Sequence, residues 1–405
     1  MINKLINKCE ENLKKQFEYF EDVALFNQEK VLDAFKNNRL ALRHFTGTTG
    51  YGYGDEGRDV LNKVFSDIFK AEAAICSPSI VSGTHALSLS LFGVLMPGDR
   101  ALCITGTPYD TLNDVIYGDG IGSLKDFGVK FDCLSLKNDL IDKDKIKEYF
   151  INYGAPDMIY MQRSRGYEWR NAMSIDEIHD AVNYVKRFKN VDFERCIAEM
   201  MEFIEKQEAT EVGVNLMAGS MIKNPGGGIA PTGGYVVGDK FYVDKVQSRL
   251  TAPSIGGEVG SYAFGYQYFF QGLFLAPHTV LQAMKGSLLF GSVLSELGYE
   301  TSPKAGDLPR DIIRAIKFGN EKDLISFIQT IQYNSPIDSF VDALPWEMPG
   351  YENEVIMAAG CFVQGSSIEL SADAPIKPPY IAYMQGGLTY EHCKIALKNI
   401  VEKLK

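Results

Sequence analysis

No stretch of this 405-residue chain approaches the roughly eighteen consecutive apolar residues that a membrane-spanning helix needs, so no membrane span is expected. Its seven cysteines (Cys9, Cys76, Cys103, Cys133, Cys196, Cys361 and Cys393) contain no C-x-x-C and read as reduced thiols. Its five histidines (His44, His85, His179, His278 and His392) contain no H-x-x-x-H or H-E-x-x-H, so no metal site announces itself. A formal net charge of −11 disfavours a nucleic-acid partner, because neutralising phosphates takes clustered Lys and Arg. No G-x-G-x-x-G opens a helix after the first strand and no Walker lysine motif occurs, which argues against a nicotinamide dehydrogenase or a P-loop protein. Residues 1–15 are polar and mixed in charge, without the apolar core of a signal peptide, and a cytoplasmic location is expected.

A hydrophobic content of 45% is enough for a large core, and periodicity divides the chain. Leu13, Phe17, Phe20, Ala24, Val31 and Phe35 recur at helical spacing and predict an N-terminal helical arm over residues 1–50. The glycine- and tyrosine-rich run from Thr46 to Gly57 predicts a loop. Val60, Leu61, Val64, Phe65, Ile68 and Phe69 then mark a helix. Strands are expected at Ala101–Thr105, Val129–Leu136 and Met158–Gln162 with helices between them. That alternation predicts an α/β fold with a mainly parallel sheet over residues 51–294. From residue 295 to 405 the pattern predicts a smaller α+β C-terminal domain. Its helices are placed near Asp311–Gln329 and Glu391–Lys405, and its strands around Glu354–Phe362 and Ser366–Leu370. Phe193, Ile197, Met200 and Ile204 give Asn190–Thr210 a helical reading.

The chemistry concentrates at Lys223, a lone lysine between the apolar Ala218–Ile222 stretch and Gly226–Gly228. An amine on an apolar approach loses hydration, and its neutral, nucleophilic form becomes accessible. Ser220, three residues earlier, is placed to hold a phosphate near that amine. Ser-x-x-Lys followed by glycines suggests a Schiff base with pyridoxal 5'-phosphate (PLP), an electron sink for carbanions. A lysine snorkelling at a strand end is the competing structural reading. Ser82-Gly83-Thr84, ahead of the apolar helix Ala86–Leu95, can offer N–H groups and hydroxyls to a phosphate, or be an ordinary N-cap. Tyr109 follows a predicted strand and can stack on a flat ring, or simply occupy a turn with Pro108 and Asp110. Arg163 and Arg165, after Gln162, and Arg58, after the Tyr51–Tyr53 loop, suit a carboxylate or phosphate, or a structural ion pair. The Gly226–Gly228 run is expected to be backbone close to a cofactor or to an adjacent chain.

The segments TTGYGYGDEGRD, IVSGTHAL, ITGTPYDTL, QRSRGYEWR, AGSMIKNPGGG, RLTAPSIGGEVG, FQGLFLAP and IELSADAPIKPPYIAYMQGGLTYEH resemble, over nearly the whole chain, the aluminium-resistance protein family. That family is a branch of the cystathionine and methionine lyase-like enzymes of PLP fold type I. The resemblance implies Lys223 as the Schiff-base lysine, Ser220 with Ser82, Gly83 and Thr84 around the phosphate, and Tyr109 over the ring. It implies Tyr53 and Arg58 reaching the phosphate from a neighbouring subunit, hence a dimer-interface site within a homotetramer. It further implies elimination of a sulfur leaving group from Cβ or Cγ of a sulfur-containing amino acid, as in cystathionine beta-lyase or methionine gamma-lyase, with Lys223 as anchor and general base. The family's Val-Asp-Asn, whose Asp pairs with the pyridine nitrogen, has no counterpart here. Cys196 or Ile197 falls at that place, and Asp192 is the candidate partner for the nitrogen. Lys377, in Ala-Pro-Ile-Lys-Pro-Pro, stands where the family pattern has Arg, and can hold a substrate carboxylate only as a point charge. An aminotransferase would share the fold and Lys223, as would an oligomeric binding protein without catalysis.

Overall fold

The computed structural model describes residues 2–188, 196–199, 202–348 and 353–404. The arm is two helices, α1 (Ile2–Asn12) and α2 (Lys14–Asn37), followed by α3 (Glu56–Ile68). Then come β1 (Ala73–Ser77), α4 (Gly83–Val94), β2 (Arg100–Cys103), α5 (Asn113–Tyr117), β3 (Lys130–Cys133), α6 (Lys143–Tyr153), β4 (Met158–Gln162) and α7 (Ile175–Lys186). After these run β5 (Cys196–Glu199), β6 (Leu216–Ser220), β7 (Gly234–Gly238), α8 (Lys240–Leu250) and α9 (Gln267–Glu296). Side-chain caps fix several starts: Ser82 Oγ accepts from the His85 N–H, and Ser174 exchanges bonds with Glu177 at the start of α7.

The seven strands form one sheet in the order β1-β7-β6-β5-β4-β2-β3. β7 is antiparallel to both of its neighbours, and the remaining pairings are parallel, so β1 to β6 run in one direction. Their C-terminal ends therefore share one edge, where the loops leading to Ser82, Tyr109, Tyr167, Glu202 and Lys223 emerge. β4, β6 and β7 are buried along their whole lengths, as strands covered by helices on both faces must be.

The helical reading of Asn190–Thr210 is corrected by β5. Cys196–Glu199 pairs in parallel with β4 (Ile159↔Cys196, Gln162↔Glu199) and with β6 (Ile197↔Leu216, Glu199↔Ala218). A central position in the sheet outweighs a helical pattern, because both neighbouring strands need their ladder groups satisfied. Phe203 and Ile204, two of the apolar residues of that region, are buried in the turn that follows.

The C-terminal part builds a second, antiparallel sheet in the order β10-β11-β12-β9-β8. Its elements are β8 (Glu300–Ser302), β9 (Ile313–Lys317), α10 (Glu321–Tyr333), β10 (Val355–Ala358), β11 (Ser371–Pro375), β12 (Ile381–Gln385) and α11 (Tyr390–Lys403). The helix expected near Asp311–Gln329 is thus a strand followed by a helix. Gly319 at φ +73° makes the turn, and Asn320 caps α10 through the Asp323 N–H. The strand expected at Ser366–Leu370 begins instead at Ser371. The arm lies along α9, with the Phe35 and Phe270 rings edge to face at 6.1 Å. Among the described residues no helix is long and apolar enough to cross a membrane.

Candidate active site

β6 delivers Ser220 and then Lys223 to the shared edge. Ser220 is buried, and its Oγ lies 3.4 Å from the Gly233 carbonyl and 3.4 Å from the Ile222 N–H. Lys223 is half-buried. Among the described residues its amine has no hydrogen-bond or salt-bridge partner. Its neighbours are pinned: Ser366 Oγ donates to the Ile222 carbonyl at 2.9 Å, and Asn224 Nδ2 donates to the Glu202 carbonyl at 2.8 Å. The glycine run after Lys223 packs closely within the chain. Gly227 sits at φ +55°, and a Cβ there would overlap the Gly272 carbonyl of α9.

The N-terminus of α4 faces Ser220. A Cβ on Gly83 would stand 3.5 Å from Ser220 Cβ. Ser82 Oγ is engaged as the cap, 3.0 Å from the His85 nitrogen. The first N–H groups of a helix have no intrahelical acceptor and carry the positive end of its dipole, so they are available to an anion. The Thr84 and Thr111 hydroxyls are 3.0 Å apart. Tyr109 is half-buried, its N–H bonded to Gln162 Oε1 at 2.9 Å, and its Cβ lies next to Gly166.

Two pairs that the sequence reading missed complete the edge. Tyr167 OH donates to Asp373 Oδ2 at 2.6 Å, bringing β11 to the loop after β4. Burial pushes the Asp373 carboxyl up to about 6, against the opposing effects of the Tyr167 hydroxyl and the Lys223 ammonium, so Lys223 and Asp373 interact electrostatically. Tyr383 OH bonds the Tyr167 carbonyl, and the two rings lie 5.0 Å apart. Behind β6, the buried Glu202 carboxylate accepts from Tyr235 OH, whose ring stacks on Phe69 at 5.8 Å. No spacing rule signals either pair, since their partners lie 206 and 33 residues apart.

The remaining candidates stand elsewhere. Arg163 is fully buried, with Nε donating to the Met173 carbonyl at 2.9 Å and Nη2 paired with Glu205. Arg165 is buried against Asp311 (Nε–Oδ2 3.3 Å) and the Ser302 carbonyl (2.8 Å), joining the two sheets. Both guanidinium groups thus have protein partners, which is the structural ion-pair alternative that the sequence left open. Arg58 holds its own loop through the Gly52 carbonyl at 3.1 Å and Asp59 at 3.0 Å. Tyr53 is 69% exposed, and Lys377 is exposed at the turn between β11 and β12. Asp192 lies outside the described residues.

A helix N-terminus, a serine and an amine that makes no hydrogen bond among the described residues gather at the carboxyl edge of the mainly parallel sheet, and the whole is an α/β protein of PLP fold type I, as the comparisons show. The Escherichia coli PLP-dependent protein YhfS shares that fold, with a TM-score of 0.63 at 16% identity over 95% of this chain and 96% of that one. A family model described as methionine gamma-lyase matches residues 2–405, and the chain belongs to that family, in its aluminium-resistance branch. It is 43% identical over 411 residues to the uncharacterised protein YnbB of Bacillus subtilis (strain 168), covering 100% of this chain and 96% of that one. A carbon-sulfur lyase involved in aluminium resistance from Clostridium novyi NT superposes with a TM-score of 0.95 at 44% identity, over 100% of this chain and 96% of that one. A candidate cystathionine beta-lyase involved in aluminium resistance from Listeria innocua gives 0.96 at 45%, over 100% and 99%.

Proposed function

We propose that the protein is a PLP-dependent carbon-sulfur lyase that eliminates a sulfur leaving group from a sulfur-containing amino acid. The observation that carries this reading is the Lys223 amine, half-buried and without a hydrogen-bond partner among the described residues, on the edge that holds Ser220 and the α4 N-terminus.

The donor set fits the cofactor. The N–H groups at Gly83 and Thr84, with the Ser220 hydroxyl, suit a phosphate dianion, and the Lys223 amine suits an aldehyde. Tyr109, on the same edge, supplies an aromatic face for a flat ring. When bound, PLP supplies withdrawal of electrons from the substrate's Cα. The protein's part is to hold and move protons. The neutral Lys223 amine takes the Cα proton, and the sulfur leaves from Cβ or Cγ as a thiol. Water then releases a keto acid and ammonia. The Asp373 carboxylate, bonded by the Tyr167 hydroxyl, is the acidic group nearest in charge to Lys223 and would orient the amine electrostatically.

Tyr51 and Tyr53, 72% and 69% exposed, form an apolar surface beside Arg58 that a second copy of the chain would cover. We propose on this ground a homodimeric site within a homotetramer, with Tyr53 and Arg58 serving the partner subunit.

The test is turnover of cystathionine, cysteine and methionine by protein incubated with PLP, following thiol, keto acid and ammonia. The reading expects the three products in equal amounts from at least one substrate. Transfer of the amino group to an added keto acid without thiol release would make the protein an aminotransferase, and absence of any turnover would favour a binding role.

A further inference from the structure

Two cysteines lie side by side at the far end of the large sheet, where the proposed lyase chemistry does not use them. Cys103 ends β2 and Cys133 ends β3, and the parallel register pairs them directly. Paired residues on adjacent strands project to the same face about 4.8 Å apart, inside the Cα separation of about 4.4–6.8 Å that a disulfide requires. Cys103 is fully buried, with Sγ 3.5 Å from Thr105 Oγ1. Cys133 is only half-buried and forms part of the wall of an open cavity of about 520 Å³, together with Gly106, Thr107, Ser135, Glu168 and Arg170. The Tyr117 hydroxyl approaches Cys133 Sγ at 3.5 Å from the side of α5.

This environment favours the thiolate of one cysteine and the thiol of the other. The Cys103 thiol, with help from the Tyr117 hydroxyl, stabilises the Cys133 anion and brings its pKa down to about 7, although burial and Asp132 act in the opposite sense. Burial keeps Cys103 protonated, well above the usual thiol range. Among the described side chains the other cysteines, Cys9, Cys76, Cys361 and Cys393, are buried, and burial raises each of their pKa values.

We propose that Cys133 is a modification site for small hydroperoxides entering this cavity, with Cys103 as its resolving partner. The Cys133 thiolate attacks the terminal peroxide oxygen, the O–O bond breaks, the sulfur keeps that oxygen with its hydrogen as a sulfenic acid, and the alkoxide (or hydroxide, from hydrogen peroxide) takes a proton from water and leaves as alcohol (or water). The Cys103 sulfur then attacks the Cys133 sulfur. An S–S bond forms, the S–O bond breaks, and the Cys103 proton leaves with the hydroxide as water. Two thiols are oxidised and one peroxide is reduced.

The experiment uses the full-length wild-type protein. A short iodoacetamide pulse near pH 7.5, read by peptide mass spectrometry, should label Cys133 at least about tenfold faster than Cys9, Cys76, Cys361 or Cys393. Treatment with hydrogen peroxide should yield a peptide pair joined through Cys103 and Cys133, lighter by two hydrogens. In Cys103→Ser, dimedone should instead trap a sulfenic acid at Cys133. Labelling of Cys133 no faster than the buried cysteines, or peroxide treatment that leaves no 103–133 link in the wild-type chain, would overturn the proposal. Both readouts come from the unsubstituted protein, so a variant that fails to fold does not spare it.

Discussion

The buried pair between Arg165 and Asp311 lends itself to a sharp test, because it decides whether that arginine serves the fold or a substrate. Both side chains are fully inaccessible, with Nε–Oδ2 at 3.3 Å and Nη2–Oδ1 at 3.4 Å. Asp311 Oδ1 also accepts from the Ile313 N–H at 3.1 Å, and the carboxylate offsets the charge of a second buried guanidinium, Arg314. Asp311→Ala would therefore leave two buried cations short of a counter-charge. Breaking a buried pair by removing one member costs about 3–5 kcal/mol, and the second arginine places the expected loss in the upper half of that range. The comparison variant is Asp119→Ala, whose pair with Lys125 is 82% and 57% exposed and is expected to leave stability nearly unchanged. Urea denaturation followed by far-ultraviolet circular dichroism reads both. Arg165→Met combined with Asp311→Leu should recover part of the loss, because it removes one of the two uncompensated cations and the repulsion that Arg165 exerts on Arg314. An Asp311→Ala midpoint indistinguishable from that of Asp119→Ala would refute the structural role and return Arg165 to the list of substrate ligands.

Two further outcomes follow from the site's packing. The folded-state pKa of Asp373, near 6, is raised above the ordinary carboxylate value, so the folded protein holds this proton more tightly than the unfolded chain does. The ionised carboxyl thus costs stability above about pH 6, and that cost is relieved as pH falls from about 7 towards 4. The stability advantage of Asp373→Asn over wild type should accordingly shrink between pH 8 and pH 5 in urea titrations, and a difference independent of pH would contradict the assignment. Gly219→Ala should destabilise by about 1–3 kcal/mol, because its Cβ would lie 2.7 Å from the Tyr235 hydroxyl and 2.9 Å from Glu202 Oε1. A denaturation midpoint within error of wild type would show that this buried pair yields easily.

What the sequence made legible was local. Lys223, Ser220 and the Ser82-Gly83-Thr84 helix start are short contiguous signals, and three strands of the large sheet announced themselves as apolar runs between turns. β5 was hidden because four residues are too few to display alternation, while Phe193, Ile197, Met200 and Ile204 offered a longer helical pattern with no sheet to contradict it. The helix drawn over Asp311–Gln329 ran through Gly319 and Asn320, whose turn and cap separate β9 from α10. Arg163 and Arg165 were found as charges at a strand end, but their partners Glu205 and Asp311 lie 42 and 146 residues away, so sequence could not say whether they were free. Tyr167 and Asp373 escaped notice for the same reason.

In the proposed chemistry everything depends on the Lys223 amine taking the aldehyde of PLP. Its most direct test is the visible absorption spectrum of the purified protein titrated with PLP, set beside Lys223→Ala. The wild-type protein should show a Schiff-base band that survives gel filtration and is absent from the variant. The same band in both proteins, or in neither, would contradict that chemistry.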